Sequence, residues 1–220
     1  LYTFTSSYET PQNINTLNLG LNSKVNLNGR GKVNKMLEIA DNTVLDIVDH
    51  SVIIENGTVN FGSFSGIYAS NTDVRVYRCN LLGNSDSYGI SGSGSSSFTF
   101  NSNSVNLGTA FNIYDFPTAI IDRNNFYGNI NQIYTDNITD LRFSNNTYSG
   151  NGLEINECQN VSIFNDRYSD CYNCIEMNDV NQAILNNSTI RSAVENGLTL
   201  NNVNALYING GTISRNNRGI

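Results

Sequence analysis

Tryptophan is absent from this chain, proline occurs twice and histidine once. Lys and Arg number 12 against 19 Asp and Glu, and charged residues make up 14% of the 220. With so few cations and a net charge of −7, the chain can neutralise few phosphates, which excludes a nucleic-acid partner. Anionic membrane surfaces are disfavoured for the same reason. No apolar run approaches the ~20 residues that span a bilayer, so no membrane insertion is expected. The cysteines, Cys79, Cys158, Cys171 and Cys174, are too sparse for a disulfide scaffold. Cys171 and Cys174 form one C-x-x-C without a second, and His50 is the sole histidine, so a zinc site is not expected. The four read as small buried residues, with room for one local disulfide. His50, near Asp46 and Asp49, reads as a hydrogen-bonded corner residue. No Ser-His-Asp arrangement and no phosphate-cradling glycine loop can be assembled.

What the chain does have is asparagine in excess, interrupted at regular intervals by apolar residues. The regularity argues against a disordered polar tract. Apolar residues that follow a Gly or an Asn-x pair fall at Ile67, Ile90, Phe111, Ile133, Leu153, Ile175, Leu198 and Ile220, spaced 20 to 23 apart. Two residues after the first seven lie Ala69, Gly92, Ile113, Thr135, Ile155, Met177 and Leu200, an alternation that marks a strand with one face inward. A second strand follows, with inward pairs Val74/Val76, Phe98/Phe100, Ala119/Ile121, Leu141/Phe143, Val161/Ile163, Ala183/Leu185 and Leu206/Ile208. Five residues after each pair comes a third apolar position: Leu81, Val105, Phe126, Tyr148, Tyr168, Ile190, Ile213. A corner position holds Phe116, Ile138, Cys158, Val180 and Val203. One such coil cannot bury its own inner face, but stacked coils share a continuous apolar column.

The pattern predicts an all-β chain, a right-handed parallel β-helix of about nine coils with three short strands per coil, roughly 40 Å long at ~4.8 Å per rung. Residues 1–43 are assigned to N-terminal coils and an entry segment, and 44–220 to regular coils, as one continuous domain. The absence of an initiating Met, and Gly219–Ile220 starting a new rung, predict a piece of a longer chain. Asn131, Asn151, Asn173 and Asn196 share one position and are expected to stack as an amide ladder. Glycines 66, 89, 152, 197 and 219 are expected to supply the left-handed backbone of the same corner.

Leu17 to Gly31 is similar to the N-terminal coil of the pectate-lyase-like superfamily of right-handed β-helices, and Val52 to Phe61 resembles its second coil. That superfamily includes polysaccharide lyases, glycoside hydrolases, uronan epimerases and bacteriophage tailspikes, so the resemblance implies a fold before it implies a reaction. The polygalacturonase-like enzymes carry N-x-D, D-D, G-H-G and R-x-K blocks; here no two Asp are adjacent, His50 is the only His, and no R-x-K falls on a body strand. Arg30-Gly-Lys32 fits R-x-K only in the N-terminal turn. A polysaccharide-engaging module, tailspike-like, extracellular or on a virion surface, is what the resemblance implies. Tailspikes are commonly trimers, which implies a homotrimer or a place among other subunits. Ile120 and Ile184, on the outer row of the second strands, fit a covered face.

Any site on a solenoid should form a stripe of outward residues. The first strands present Tyr68, Ser91, Asn112, Tyr134, Glu154, Glu176 and Thr199; the following turn adds Asp115, Glu157 and Asp179, with Asp136 beside them. Three chemistries fit. Glu154 and Glu176, one rung apart at ~4.8 Å, approach the ~5–5.5 Å separation of a retaining glycosidase, with one carboxyl held protonated by the other. The acids could instead hold Ca²⁺; no other cofactor is expected. Or Tyr68 and Tyr134, with Asp136, Glu157 and Asp179, bind a sugar chain without cutting it. Catalysis is left open; if present, it would be that of a polysaccharide lyase or a glycoside hydrolase. The alternative is a purely structural or adhesive solenoid with no ligand.

Overall fold

The computed structural model describes residues 51–219, apart from 95, 130 and 151, together with the earlier strands Thr3–Phe4, Gln12–Ile14, Lys24–Asn26, Met36–Ile39 and Val44–Val48. Most of 17–31, His50, Asn151 and Ile220 lie outside the described residues. Within them the chain is all-β, with no helix. Its 28 strands form three sheets, and every pairing is parallel.

The first strands of the coils build an eight-stranded sheet, from Val44–Val48 to Asn196–Asn201; the second and third strands build sheets of ten. The chain is a three-sheet parallel β-solenoid of about seven regular turns, not about nine, the last running from Asn196 to Ser214. The count falls short because the earliest described strands enter only the two ten-stranded sheets and do not complete three-strand turns.

The registers follow the sequence columns residue by residue. Ile67 pairs with Ile90, Ile90 with Phe111, Leu153 with Ile175 and Ile175 with Leu198. Leu81, Val105, Phe126, Tyr148, Tyr168, Ile190 and Ile213 form one unbroken column. Nearly all of these side chains are buried in one continuous core. At about 1.5–3 kcal/mol for each large apolar side chain fully buried, the column is the main source of stability. Where aromatic residues succeed one another they stack: Phe126 on Tyr148 at 4.9 Å, and Tyr148 on Tyr168 at 4.4 Å with planes 2° apart. Burial first, then the charge of Asp166, raises the phenols of Tyr148 and Tyr168 well above the usual range.

Corner chemistry differs from expectation. Glycines 66, 89, 152 and 197 are absent from the positive-φ positions. They are small because the next rung passes close by: a Cβ on Gly152 would lie 1.8 Å from the carbonyl oxygen of Cys174, and one on Gly89 2.2 Å from that of Ala110. The left-handed positions belong instead chiefly to Asn, Asp, Ser, Arg and Glu residues and Phe64, with Gly210 and Gly211 at the last corner between the second and third sheets. One such column runs Asp115, Asn137, Glu157, Asp179 and Asn202, with φ between 50° and 59°.

A second amide ladder lies inside the core. The backbone N–H of Cys79 donates to Asn103 Oδ1 (2.9 Å), that of Asn103 to Asn124 (2.8 Å), that of Asn124 to Asn146 (2.9 Å) and that of Asn146 to Asp166 (2.8 Å). Each Asn also donates its Nδ2 to a carbonyl, of Val76, Phe100 and Ile121 in turn. The corner between the second and third sheets thereby satisfies backbone groups that no strand pairs, as buried polar groups require.

All four cysteines are buried free thiols. Cys79 donates to the carbonyl of Tyr77 (3.2 Å) and Cys158 to that of Asn156 (3.2 Å). Burial pushes both thiols up to about 11.

Candidate functional site

Strand alternation sets the site, because every second residue of the eight-stranded sheet faces outward. Tyr68 pairs with Ser91, Ser91 with Asn112, Asn112 with Tyr134, Tyr134 with Glu154, Glu154 with Glu176, and Glu176 with Thr199. The expected stripe is therefore a physical row.

The row forms the floor of a groove. One depression of about 640 Å³ is lined by Tyr88, Thr109, Asn112, Asn131, Gln132, Tyr134, Glu154, Tyr172 and Asn173. A narrower one of about 190 Å³ shares Tyr88, Thr109 and Asn112 and extends to Tyr68. The wall comes from the turns that lead from the third sheet into the first. These turns hold between two and five residues, from 107–108 to 83–87, whereas the corners between the second and third sheets, from 56–57 to 210–211, hold two each time. The variable turns, and the strand residue that follows the longest of them, raise aromatic and apolar side chains: Phe64, Tyr88, Tyr172 and Val194 are 54%, 48%, 55% and 61% exposed. Exposed rings on a concave polar surface are a recurrent feature of recognition sites.

Of the expected site residues, Tyr68, Tyr134 and Glu154 line this groove, and Glu176 is the register partner of Glu154 on the next rung. Asp136, Glu157 and Asp179 do not line it; they sit at the opposite edge of the sheet. Glu157 and Asp179 are left-handed corner residues, and Asp179 Oδ1 accepts from Asn202 Nδ2 at 2.5 Å. Asp136 and Glu157 still act electrically on the floor. The phenol of Tyr134 is raised above its ordinary value by partial burial, then by the charges of Asp136, Glu154 and Glu157.

A surface amide relay runs into the floor from the same edge. Asn201 Nδ2 donates to Asn178 Oδ1 (2.7 Å), Asn178 to Asn156 (2.8 Å) and Asn156 to Glu154 Oε1 (3.5 Å). Aligned amides polarise one another, so the relay holds a donor on the Glu154 carboxylate. Across the groove's far end the hydroxyls of Tyr68 and Tyr114 are 2.9 Å apart, and that hydrogen bond is the first cause pushing the Tyr114 phenol up to about 12. Gln132 Nε2 is buried in the wall without a hydrogen-bond partner.

The expected ladder is present in part. Asn196 Nδ2 donates to Asn173 Oδ1 at 3.0 Å, but Asn131 donates to Thr109 Oγ1 at 3.0 Å. The sequence reading missed Tyr172 and Gln132, which stand in turns of variable length, and Tyr88, which opens the strand Tyr88–Ser93 directly after the longest of them. The signal that could have found them is an aromatic residue where the repeat lengthens. Among the described residues no three His, Cys, Asp or Glu side chains are grouped to hold a metal ion.

Fold and site together define a three-sheet parallel β-solenoid with an aromatic and amide groove on one outer face. No family model matches the chain, and no significant match was found among the curated proteins or among the solved structures.

Proposed function

We propose that this solenoid is an extracellular or virion-surface module that binds polysaccharide in the groove of its eight-stranded sheet, in the manner of the pectate-lyase-like and tailspike proteins its sequence resembles. The observation that carries the reading is the lining: exposed Tyr88 and Tyr172 beside amides and a single carboxylate, Glu154. Aromatic rings offer flat apolar surface to the C–H face of a pyranose, while amides and carboxylates exchange hydrogen bonds with its hydroxyls. Cleavage is the extension of the same reading. Glu154 and Glu176 pair across adjacent rungs, and strand spacing of ~4.8 Å suits the two-carboxylate geometry of a retaining hydrolase.

The test is a panel of microbial and algal polysaccharides, run with calcium and then with chelator, scoring both retention and release of reducing ends. Binding that falls at least tenfold in Tyr172→Ala upholds the groove. Cleavage abolished in Glu154→Gln or Glu176→Gln makes the module an enzyme. Loss on chelation alone would give the carboxylates to calcium. No binding to any polymer would overturn the proposal.

The second reading, a structural or adhesive solenoid within a homotrimer, is favoured by one observation. The outer face of the second sheet leaves Ile120 38% and Tyr207 53% exposed, apolar surface of the kind that subunit contacts cover. Sedimentation equilibrium checks it: a monomer at micromolar concentration would remove that support.

A further inference from the structure

We infer that the groove selects an uncharged glycan and turns away uronate, sulfated and phosphorylated chains; this rests on the glycan reading above and specifies its ligand. The position of the cations carries it. No Lys, Arg or His lines either part of the groove, and Glu154 is its only charged group. Among the described residues the arginines from Arg75 to Arg191 belong to the second and third sheets or the corner between them. Several are engaged there: Arg75 with Asp73 at 3.0 Å, Arg123 with Asp122 at 3.5 Å, and Arg142 over the ring of Phe164 at 5.7 Å. Arg218 reaches the first sheet only beyond the groove, as a bridge to Asn196 on the rung past Asn173.

A polyanion laid along this floor would meet Glu154 and Glu176, with Asp136 and Glu157 close enough to act on Tyr134 between them. Asp136, Glu154 and Glu157 act on Tyr134 at the floor, charge is felt over ~8 Å at physiological salt, and no cation lines the groove to offset them. A neutral chain meets no such penalty. Its hydroxyls donate to the Glu154 carboxylate and exchange hydrogen bonds with the lining amides of Asn112, Asn131 and Asn173. Anion sites are ordinarily built from arginine forks or clustered backbone N–H groups, and this lining has no arginine.

The experiment is affinity electrophoresis in gels cast with neutral polymers (a β-glucan, a galactomannan) or acidic ones (polygalacturonate, alginate, dextran sulfate), at low salt. The proteins compared are wild type, Tyr172→Ala and the double variant Glu154→Gln/Glu176→Gln. The expected result is retardation of wild type by a neutral polymer, weakened at least tenfold in Tyr172→Ala, with no retardation by the acidic set. The double variant should move its preference toward the acidic polymers by about fivefold or more as two negative charges leave the floor. Retardation of wild type by an acidic polymer, itself weakened by Tyr172→Ala, would overturn the selectivity while leaving the glycan groove standing. Failure of every polymer to retard the wild type would overturn the glycan reading and this inference with it.

Discussion

Asp166 Oδ1 accepts the backbone N–H of Asn146 at 2.8 Å, placing a carboxylate in a buried ladder whose earlier rungs are amides. The substitution has a physical cost that depends on pH. In Asn103, Asn124 and Asn146 the Nδ2 donates to the carbonyl three residues before the preceding ladder residue. An ionised Asp has no such proton to give; a protonated one does. Burial is the leading cause that pushes the Asp166 carboxyl from its ordinary 3.8 up to about 7, against hydrogen bonds from Asn146 and Tyr168 that pull it down.

A group whose folded value is raised favours the folded state while it is protonated. Its contribution is therefore complete below about pH 4 and is lost as pH rises through about 7. Asp166→Asn should remove this dependence and stabilise the protein at pH 8 by about 2–4 kcal/mol, with much less effect at pH 4. Urea denaturation of both proteins at the two pH values checks it; parallel pH profiles would overturn it.

Breaking the ladder in its middle should cost more than removing an amide from the surface. Asn124→Ala leaves the buried N–H of Asn103 and the carbonyl of Phe100 without their partners. A loss of about 2–4 kcal/mol is expected. Asn160→Ala removes the exposed bond to Asp140 and should cost less than about 0.5 kcal/mol. Equal losses in the two variants would mean that the ladder is no more than decoration.

Gly152 tests the close approach between rungs. Adding one methyl 1.8 Å from the Cys174 carbonyl oxygen forces two paired strands apart, so Gly152→Ala should lower stability by about 3 kcal/mol or more. Thermal unfolding reads this directly. A neutral substitution would show that the rung spacing yields more easily than its pairing suggests.

The thiols should be silent in the folded protein. Cys79 and Cys158 are buried and held protonated. Cys171 and Cys174 share a hydrogen bond that raises the first and lowers the second. A chromogenic disulfide reagent at pH 8 should find essentially no thiol in the native state and all four after unfolding. Rapid native reaction at any one would contradict the burial of that thiol.

The core was legible because its columns obey one constant offset. Val105, Phe126 and Tyr148 sit five residues beyond the inward pair of their coil, and the corner before them holds two residues every time. The internal ladder was equally periodic: Asn103, Asn124 and Asn146 each stand two residues before a member of that apolar column. It went unread because asparagine is so abundant on the surface that a buried one carries no mark of its own. The floor of the groove was legible for the same reason as the core, since Tyr134, Glu154 and Glu176 belong to a strand. Its wall was not. Tyr88 and Tyr172 stand where the chain departs from its period, and a repeat cannot announce what interrupts it.

That interruption has a consequence for how such a molecule can change. The turns into the eight-stranded sheet vary in length while that sheet keeps its register. Each such turn has two sides: Leu107, Cys171 and Ala193 point into the core, while Phe64, Tyr172 and Val194 are exposed. The outer side of a turn can be lengthened, shortened or replaced as an interchangeable cassette, and the new surface inherits a rigid foundation so long as the inward residue and its rung-to-rung hydrogen bonds are kept.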